Sequence, residues 1–335
     1  MTMASAGGRA ATGPGARIMS VGAYRPSRVV HNDELCERLD SSDDWIRRRS
    51  GIVSRRWAGD EETVIAMAAA AAGKALAHAG VTPAEVDVVL LASMSYLQQS
   101  PAAAPQVAAA VGARAAAAFD IHAACAGFCY GLAVADGLVR AGTARHVLVV
   151  GAERMTDIVD PDDRGTAFLF ADGAGAVLVG PSETPGILSV SWGSDGDQHG
   201  LISHQAPWTS TRGAAAEWPY MRMSGSEVFR WAIKEVPRTA RRALWAAGVR
   251  PEDLSAFIPH QANARITEAV VKALGLPADV VVADDIETAG NTSAASVPLA
   301  MEALSAQGRL MPGGLALLAG FGAGLTHAAL VVTLP

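Results

Sequence analysis

Cysteine is scarce in this chain. Cys36, Cys125 and Cys129 are the only three among 335 residues. Three thiols cannot make a disulfide framework, so a reducing compartment, the cytoplasm, is expected. Positive charge is also short: 27 basic residues face 33 acidic ones, for a net charge of −6. That balance argues against a nucleic-acid partner, whose footprint is a net basic face. Charged residues make up only 18% of the chain and hydrophobic residues half, which excludes a disordered chain. Met1 to Arg17 lacks the continuous apolar core of a signal peptide and reads as a flexible leader. Leu310 to Pro335 carries no charge and is long enough on paper to cross a bilayer. Pro312 and repeated glycines interrupt it, so a buried strand–turn–strand is expected, and no membrane partner.

What is present is a repeat. ALAHAGVTPAEVDVVL at 75–90 returns as ALWAAGVRPEDLSAFI at 243–258, at a constant offset of 168 residues from Ala75 to Ala243. Each copy reads as a helix stopped by glycine, a proline opening a turn, and an apolar run entering a strand. The Gly-Ala-Gly at 173–175 has a counterpart at 322–324. Two half-chain copies imply a duplicated α/β unit, with halves at 18–183 and 184–335. Patterning predicts helices at 61–79, 101–111, 126–140, 226–247 and 293–306. It predicts strands at 86–93, 116–121, 146–152, 174–180, 254–259, 279–283, 314–319 and 326–333. Such alternation means buried sheets sandwiched by helices. Residues 191–225 are polar and glycine-rich, a long irregular stretch of the kind that usually serves function.

Cys125 stands where an apolar segment ends at Ile121 and a helix is expected from about Ala126. A helix start favours thiolate, so this is a place for a nucleophile, although a buried inert cysteine fits the same position. Cys129, a turn later, lacks the further ligands of a zinc site and reads as core. His260 ends an apolar strand in IPHQAN, and Asn291 precedes a helix in AGNTSAASVP. Each alone would pass for a structural or capping residue. Together they would set two donors opposite the thiol of the other half, as a thioester carbonyl turning into an enolate requires.

At this point the chain resembles the β-ketoacyl-acyl carrier protein synthase III family, the condensing-enzyme branch of the thiolase superfamily. The matching stretches are DDWIRRRSGI (43–52), DIHAACAGFCYGL (120–132), DPDDRGTAFLFADGAGAVLV (160–179), SGSEVFRWA (224–232), IPHQANARI (258–266), GNTSAASVP (290–298) and GFGAGLT (320–326). The resemblance implies a five-layered αβαβα thiolase fold. It also implies a ping-pong reaction. Cys125 would take an acyl group from acyl-CoA. His260 and Asn291 would cradle the thioester oxygen of malonyl-acyl carrier protein as it loses CO2, and the carbanion would attack the acyl-Cys125 carbonyl. Backbone N–H groups of Cys125 and Ala323 would form the oxyanion hole. Trp45 and Arg164 match positions that sandwich the CoA adenine; Arg49 and Asn263 match further CoA contacts. Arg230, Arg265 and Lys272 match a basic patch for acyl carrier protein. Ser100 and Phe321 match the acyl tunnel. The family implies a homodimer and no metal or redox cofactor.

Ala323 stands where the family often has glycine and can donate its N–H if its φ is negative. His327 replaces a frequent Trp, and Ser100 a longer residue, which favours a primer larger than acetyl and starter-unit loading in fatty acid or polyketide biosynthesis. The closest rival is an acyltransferase that moves the Cys125-bound acyl group to a hydroxyl, amine or thiol without decarboxylation. A silent partner subunit conflicts with the intact Cys125, His260 and Asn291. A papain-like hydrolase leaves the Trp45 and Arg164 stretches unexplained.

Overall fold

The computed structural model describes residues 15–211 and 218–335. The first half runs β1 (Gly15–Tyr24), β2 (Arg28–His31), α1 (Asn32–Cys36), α2 (Asp43–Ser50), β3 (Ser54–Trp57), α3 (Val64–Ala79), β4 (Val88–Ala92), α4 (Ala103–Val111), β5 (Ala117–Ile121), α5 (Gly127–Arg140), β6 (Val147–Arg154) and β7 (Asp172–Ser182). The second runs β8 (Ile187–Ser194), β9 (Ile202–His204), β10 (Met221–Met223), α6 (Gly225–Ala247), β11 (Ala256–Pro259), α7 (Ala264–Leu274), β12 (Val281–Val282), α8 (Ile286–Ala289), α9 (Ser296–Ala306), β13 (Leu315–Gly322) and β14 (Thr326–Thr333).

Two five-stranded sheets share one topology, β1-β7-β6-β4-β5 and β8-β14-β13-β11-β12. In each, the three strands β6-β4-β5 or β13-β11-β12 run parallel and the other two pair antiparallel. The 168-residue offset also relates Val147, which opens β6, to Leu315, which opens β13. α3 and α4 cover the outer face of the first sheet, around Val89, Leu91 and Leu148. α6 and α7 cover the outer face of the second, around Phe257, Leu317 and Val331. α5 and α9 lie between the sheets, where Phe128, Leu132, Val297 and Met301 pack with Leu90, Val149, Ile258 and Leu318. The result is the five-layered thiolase arrangement.

Local chemistry explains the boundaries. α3 begins at Val64, later than patterning predicts, because the Thr63 hydroxyl accepts the Ala66 N–H at 3.2 Å. Glu62, expected inside that helix, instead accepts from Tyr24 and from the backbone of Ser27 and Gly59. Both long outer helices end at a left-handed glycine, Gly80 at φ 65° and Gly248 at φ 67°. The leader expected through Arg17 overlaps β1, in which Gly15–Arg17 pair with Ser182–Gly180; residues 1–14 lie outside the described residues. The stretch 191–225 is also less irregular than expected. β8 runs on to Ser194, and β9 and β10 form a small ribbon. Residues 212–217 of that stretch lie outside the described residues. The uncharged C-terminal segment forms β13 and β14, and among the described residues no helix is long and apolar enough to cross a membrane.

Candidate active site

Cys125 sits in a single 3-10 turn, Ala124–Ala126, between β5 and α5. Ala124 holds φ 45°, a left-handed conformation that L-residues adopt only under constraint. The turn is pressed from the second half by β13: a Cβ on Gly322 would lie 2.8 Å from the Cys125 Cβ, so only glycine fits. Thr326 ties the loop beyond β13 to the turn, donating to the carbonyls of Ala123 and Ala323, each at 3.0 Å. Cys125 is 7% exposed, and burial pushes its thiol up to about 12. This burial acts against the lowering expected from a helix start. The Ser293 hydroxyl pulls the value down, and the nearby Glu153 carboxylate pushes it up.

His260 follows β11 and is buried. Its backbone N–H donates to the Ala319 carbonyl at 2.6 Å, which fixes the strand end. Burial lowers the imidazole to about 3, so the ring is neutral at pH 7. Its Nδ1 lies 2.6 Å from Ser296 Oγ. With that hydroxyl donating to Nδ1, the proton sits on Nε2, and the ring becomes a neutral N–H donor. The Phe321 ring meets the imidazole at 5.1 Å and 69°. Asn291 lies between α8 and the 3-10 turn Ser293–Ala295. Its Oδ1 accepts the Ser293 N–H at 2.9 Å, so what it can offer a ligand is the Nδ2 donor.

One cavity of about 250 Å³ is lined by Cys125, His260, Asn291, Phe321 and Gly322. It therefore joins the thiol of one half to the two donors of the other. Arg49, Asn263, Arg230 and Arg265 line the same cavity. Asn263 caps α7 by accepting from the Arg265 N–H, and its amide donates to the Arg49 carbonyl at 3.1 Å. Arg265 lies over the Phe229 ring at 5.5 Å, and Arg230 pairs with Glu227 at 3.4 Å. Lys272 is exposed seven residues along α7 from Arg265, roughly 10 Å of helix rise away, and lines neither this cavity nor the second one described below. Arg164 stacks on Trp45 at 4.9 Å, and Phe168 packs edge-on against the indole at 5.2 Å. This is a closed cation–π pair rather than an open slot.

A second cavity, of about 680 Å³, adjoins the elbow through Ala123, Ala124 and Ala323 and is flanked by Tyr96, Gln98, His204 and Trp208. Met94, Ile202 and Met221 line both cavities and divide them. Ser100 is exposed and lines neither, whereas Phe321 lines the first cavity against His260 rather than the second. Ala323 meets the condition set for it, since among the described residues only Ala124 and Ser293 are non-glycine residues with positive φ. His327 faces away from the cavities, on α6, with its Nδ1 2.9 Å from Thr239 Oγ1. Sequence reasoning missed Ser296, Ser293, Glu153 and Gly322. Of these, Glu153 left a signal: a carboxylate closing the apolar run VLVVGA is a candidate buried charge.

Comparison with known proteins points to one family. Residues 119–196 match the model of 3-oxoacyl-[acyl-carrier-protein (ACP)] synthase III, and 244–334 that of its C-terminal region. Beta-ketoacyl-[acyl-carrier-protein] synthase III of Streptomyces glaucescens is 54% identical over 323 residues, 96% of this chain and 97% of its own. The corresponding protein of Mycobacteroides abscessus is 51% identical over 95% of this chain and 94% of its own. Among solved structures, the priming β-ketosynthase from the R1128 polyketide biosynthetic pathway superposes with a TM-score of 0.95 at 46% identity, covering 98% of this chain and 99% of that one. Shared motifs, duplicated topology and near full-length similarity together place the chain in the 3-oxoacyl-[acyl-carrier-protein] synthase III family of condensing enzymes.

Proposed function

We propose that the protein loads a starter unit by decarboxylative Claisen condensation. It takes an acyl group from acyl-CoA onto Cys125 and joins it to malonyl-acyl carrier protein, giving a 3-oxoacyl thioester, CoA and CO2. The observation that carries this reading is the shared cavity in which Cys125 faces His260 and Asn291. In the first half reaction the Cys125 sulfur attacks the acyl thioester carbonyl, the N–H groups of Cys125 and Ala323 receive the oxyanion, and the acyl–sulfur bond to CoA breaks, the thiol's proton leaving with CoA as its free thiol. In the second, His260 Nε2–H and Asn291 Nδ2–H hold the malonyl thioester oxygen while CO2 departs. A neutral imidazole suits that task, because it donates without transferring a proton. The carbanion attacks the acyl carbonyl, and Cys125 leaves as thiolate. The scheme calls for no metal or redox cofactor.

Trp45 and Arg164 take the CoA adenine once the guanidinium lifts from its 4.9 Å stack, and Arg49 and Asn263 contact the rest of CoA. Arg230 and Arg265 at the cavity and Lys272 on α7 receive acyl carrier protein. This patch is local in a chain of net charge −6, so its steering is sensitive to salt. The 680 Å³ cavity beside the elbow supports a primer larger than acetyl. β5 is an unpaired sheet edge carrying Phe119 at 44% exposure, which fits a second copy of this chain as homodimer partner. The scarce cysteines fit a cytoplasmic enzyme.

Intact-protein mass spectrometry tests the reading. The chain is incubated with a panel of acyl-CoAs and then with malonyl-acyl carrier protein. An adduct on Cys125 that disappears as 3-oxoacyl product and CO2 form is the expected result. An adduct that discharges only to an alcohol, amine or thiol, with no CO2, overturns condensation in favour of plain acyl transfer.

A further inference from the structure

Arg55 is a buried cation that the scheme above does not use. It stands on β3 and has no exposed surface. Its Nη1 donates to the Val30 carbonyl at 3.3 Å, and its Nη2 to Asn32 Oδ1 at 2.6 Å and to the Phe168 carbonyl at 3.0 Å. All three acceptors are neutral oxygens, and the buried Nε has no partner. A cation held in this way is costly to bury, and an apolar side chain of similar length would fill the site at lower cost. What the guanidinium adds is a planar fork of donors that sets separate segments at fixed angles. The segments it joins are β2, the start of α1 and residues 168–171.

One arm of this network reaches the helix that carries Trp45 and Arg49. The Asn32 amide donates to Asp43 Oδ1 at 2.7 Å and to the Ile52 carbonyl at 2.8 Å. Asp43 opens α2, and Ile52 lies just past its end. Phe168 packs edge-on against Trp45, so the indole's helix and its aromatic neighbour are both tied to one guanidinium. The other arm reaches Asn291. The Asn291 N–H donates to the Leu169 carbonyl and the Ala171 N–H to the Asn291 carbonyl, each at 2.9 Å. Gly290, the residue before, holds φ 68°, and a Cβ there would meet the Arg55 Cβ at 3.0 Å. The stem of Arg55 therefore abuts the approach to Asn291, while its head holds the segment that pairs with Asn291.

We propose that Arg55 is a positioning residue for both half reactions: it holds residues 168–171 against α2 on one side and against Asn291 on the other, so that the Trp45 indole and the Asn291 donor keep one register. Arg55 lines neither cavity and acts through Asn32 and Phe168. The assignment rests on Cys125 being the acylated nucleophile and Asn291 a donor in the decarboxylation.

The test is Arg55→Lys, which keeps the charge and loses the fork. KM for acyl-CoA should rise about tenfold, and CO2 release from malonyl-acyl carrier protein by the preloaded enzyme should slow about tenfold, as for one charged hydrogen bond lost from each arm. Alkylation of Cys125 by iodoacetamide, followed by peptide mass spectrometry, should keep its wild-type rate, because it needs neither CoA nor Asn291. Unchanged KM and CO2 release overturn the proposal. A loss confined to one half reaction overturns the shared register. Faster alkylation in step with the kinetic losses also overturns it, since that marks general loosening. No acyl adduct in the wild type with any acyl-CoA overturns the nucleophile assignment itself. Should Arg55→Lys fail to fold, Asp43→Ala decides from the solvent-facing end of the network, where the side chain is 37% exposed. KM for acyl-CoA then rises about threefold with CO2 release unchanged, or the proposal is wrong.

Discussion

The two halves build the same elbow and put different chemistry on it. In the first, strand β5 leads to the turn Ala124–Cys125–Ala126 and then α5; in the second, Asn291 leads to Ser293–Ala294–Ala295 and then α9. Each turn opens on a left-handed residue, Ala124 at φ 45° and Ser293 at φ 48°. Each is received by a glycine of the opposite half. A Cβ on Gly151 would lie 2.3 Å from the Ala294 carbonyl oxygen, and one on Gly320 would lie 3.0 Å from Cys129 Sγ and Ala126 Cα. A further asymmetry lies at the strand ends, where the 168-residue offset sets Ala92 against His260. The lesson is that the repeated unit sets two equivalent turns toward one place, one carrying Cys125 and the other following Asn291, while His260 comes from the end of β11.

That comparison can be broken at its centre. Cys125→Ala should abolish acyl adduct formation, and Ala294→Cys added to it should not restore loading. Ala294 is fully buried, with its carbonyl facing Gly151. Mass spectrometry of both variants decides, and an adduct on residue 294 would show the elbows to be chemically interchangeable. Next in size, Asn291→Ala should load acyl groups normally yet release CO2 from malonyl-acyl carrier protein about 10²-fold more slowly, as for loss of an oxyanion-type donor. Radiolabelled CO2 release measures it, and equal damage to loading would argue for misfolding.

Smaller effects sharpen the packing side. Gly151→Ala should cost about 1–3 kcal/mol, the usual penalty of overpacking. Gly320→Ala should cost less, because its tightest neighbours are 3.0 Å away rather than 2.3 Å. Denaturant melts of the two variants test the order. Confined to acid is an effect from His260. Its folded value of about 3 lies below the ordinary 6.5, so the unfolded chain takes up the proton first. Its contribution is therefore complete above pH 6.5 and lost as pH falls toward about 3, with a slope of at most ~1.4 kcal/mol per pH unit. His260→Gln should flatten the stability profile in that window and leave it unchanged above.

Much of the architecture was legible because it rests on local signals. Gly80 and Gly248 stop helices, Pro83 and Pro251 open turns, and β4 is apolar throughout. β1 and β8 were not, since their pairing is set by distant strands: Ser20 and Arg17 break the apolar pattern of β1, and glycine and serine dilute β8. In the site, Cys125, His260 and Asn291 were readable because each shortly precedes an expected helix, within stretches that resemble the condensing-enzyme family. Glu153 and Ser293 were not, because a serine and a glutamate become partners only when the segment after β4, the end of β6 and the turn before α9 converge. Ser100 matched the tunnel through the family resemblance alone, whereas its loop sets it at the surface.

The central layer has one more consequence. α5 and α9 each pack against strands of both sheets, so neither half owns a closed core. A chain severed near residue 184 would leave an apolar face on each fragment that only the other can cover. Such fragments should aggregate when made separately and recover activity when made together, so the enzyme should melt as one cooperative unit despite its twofold ancestry.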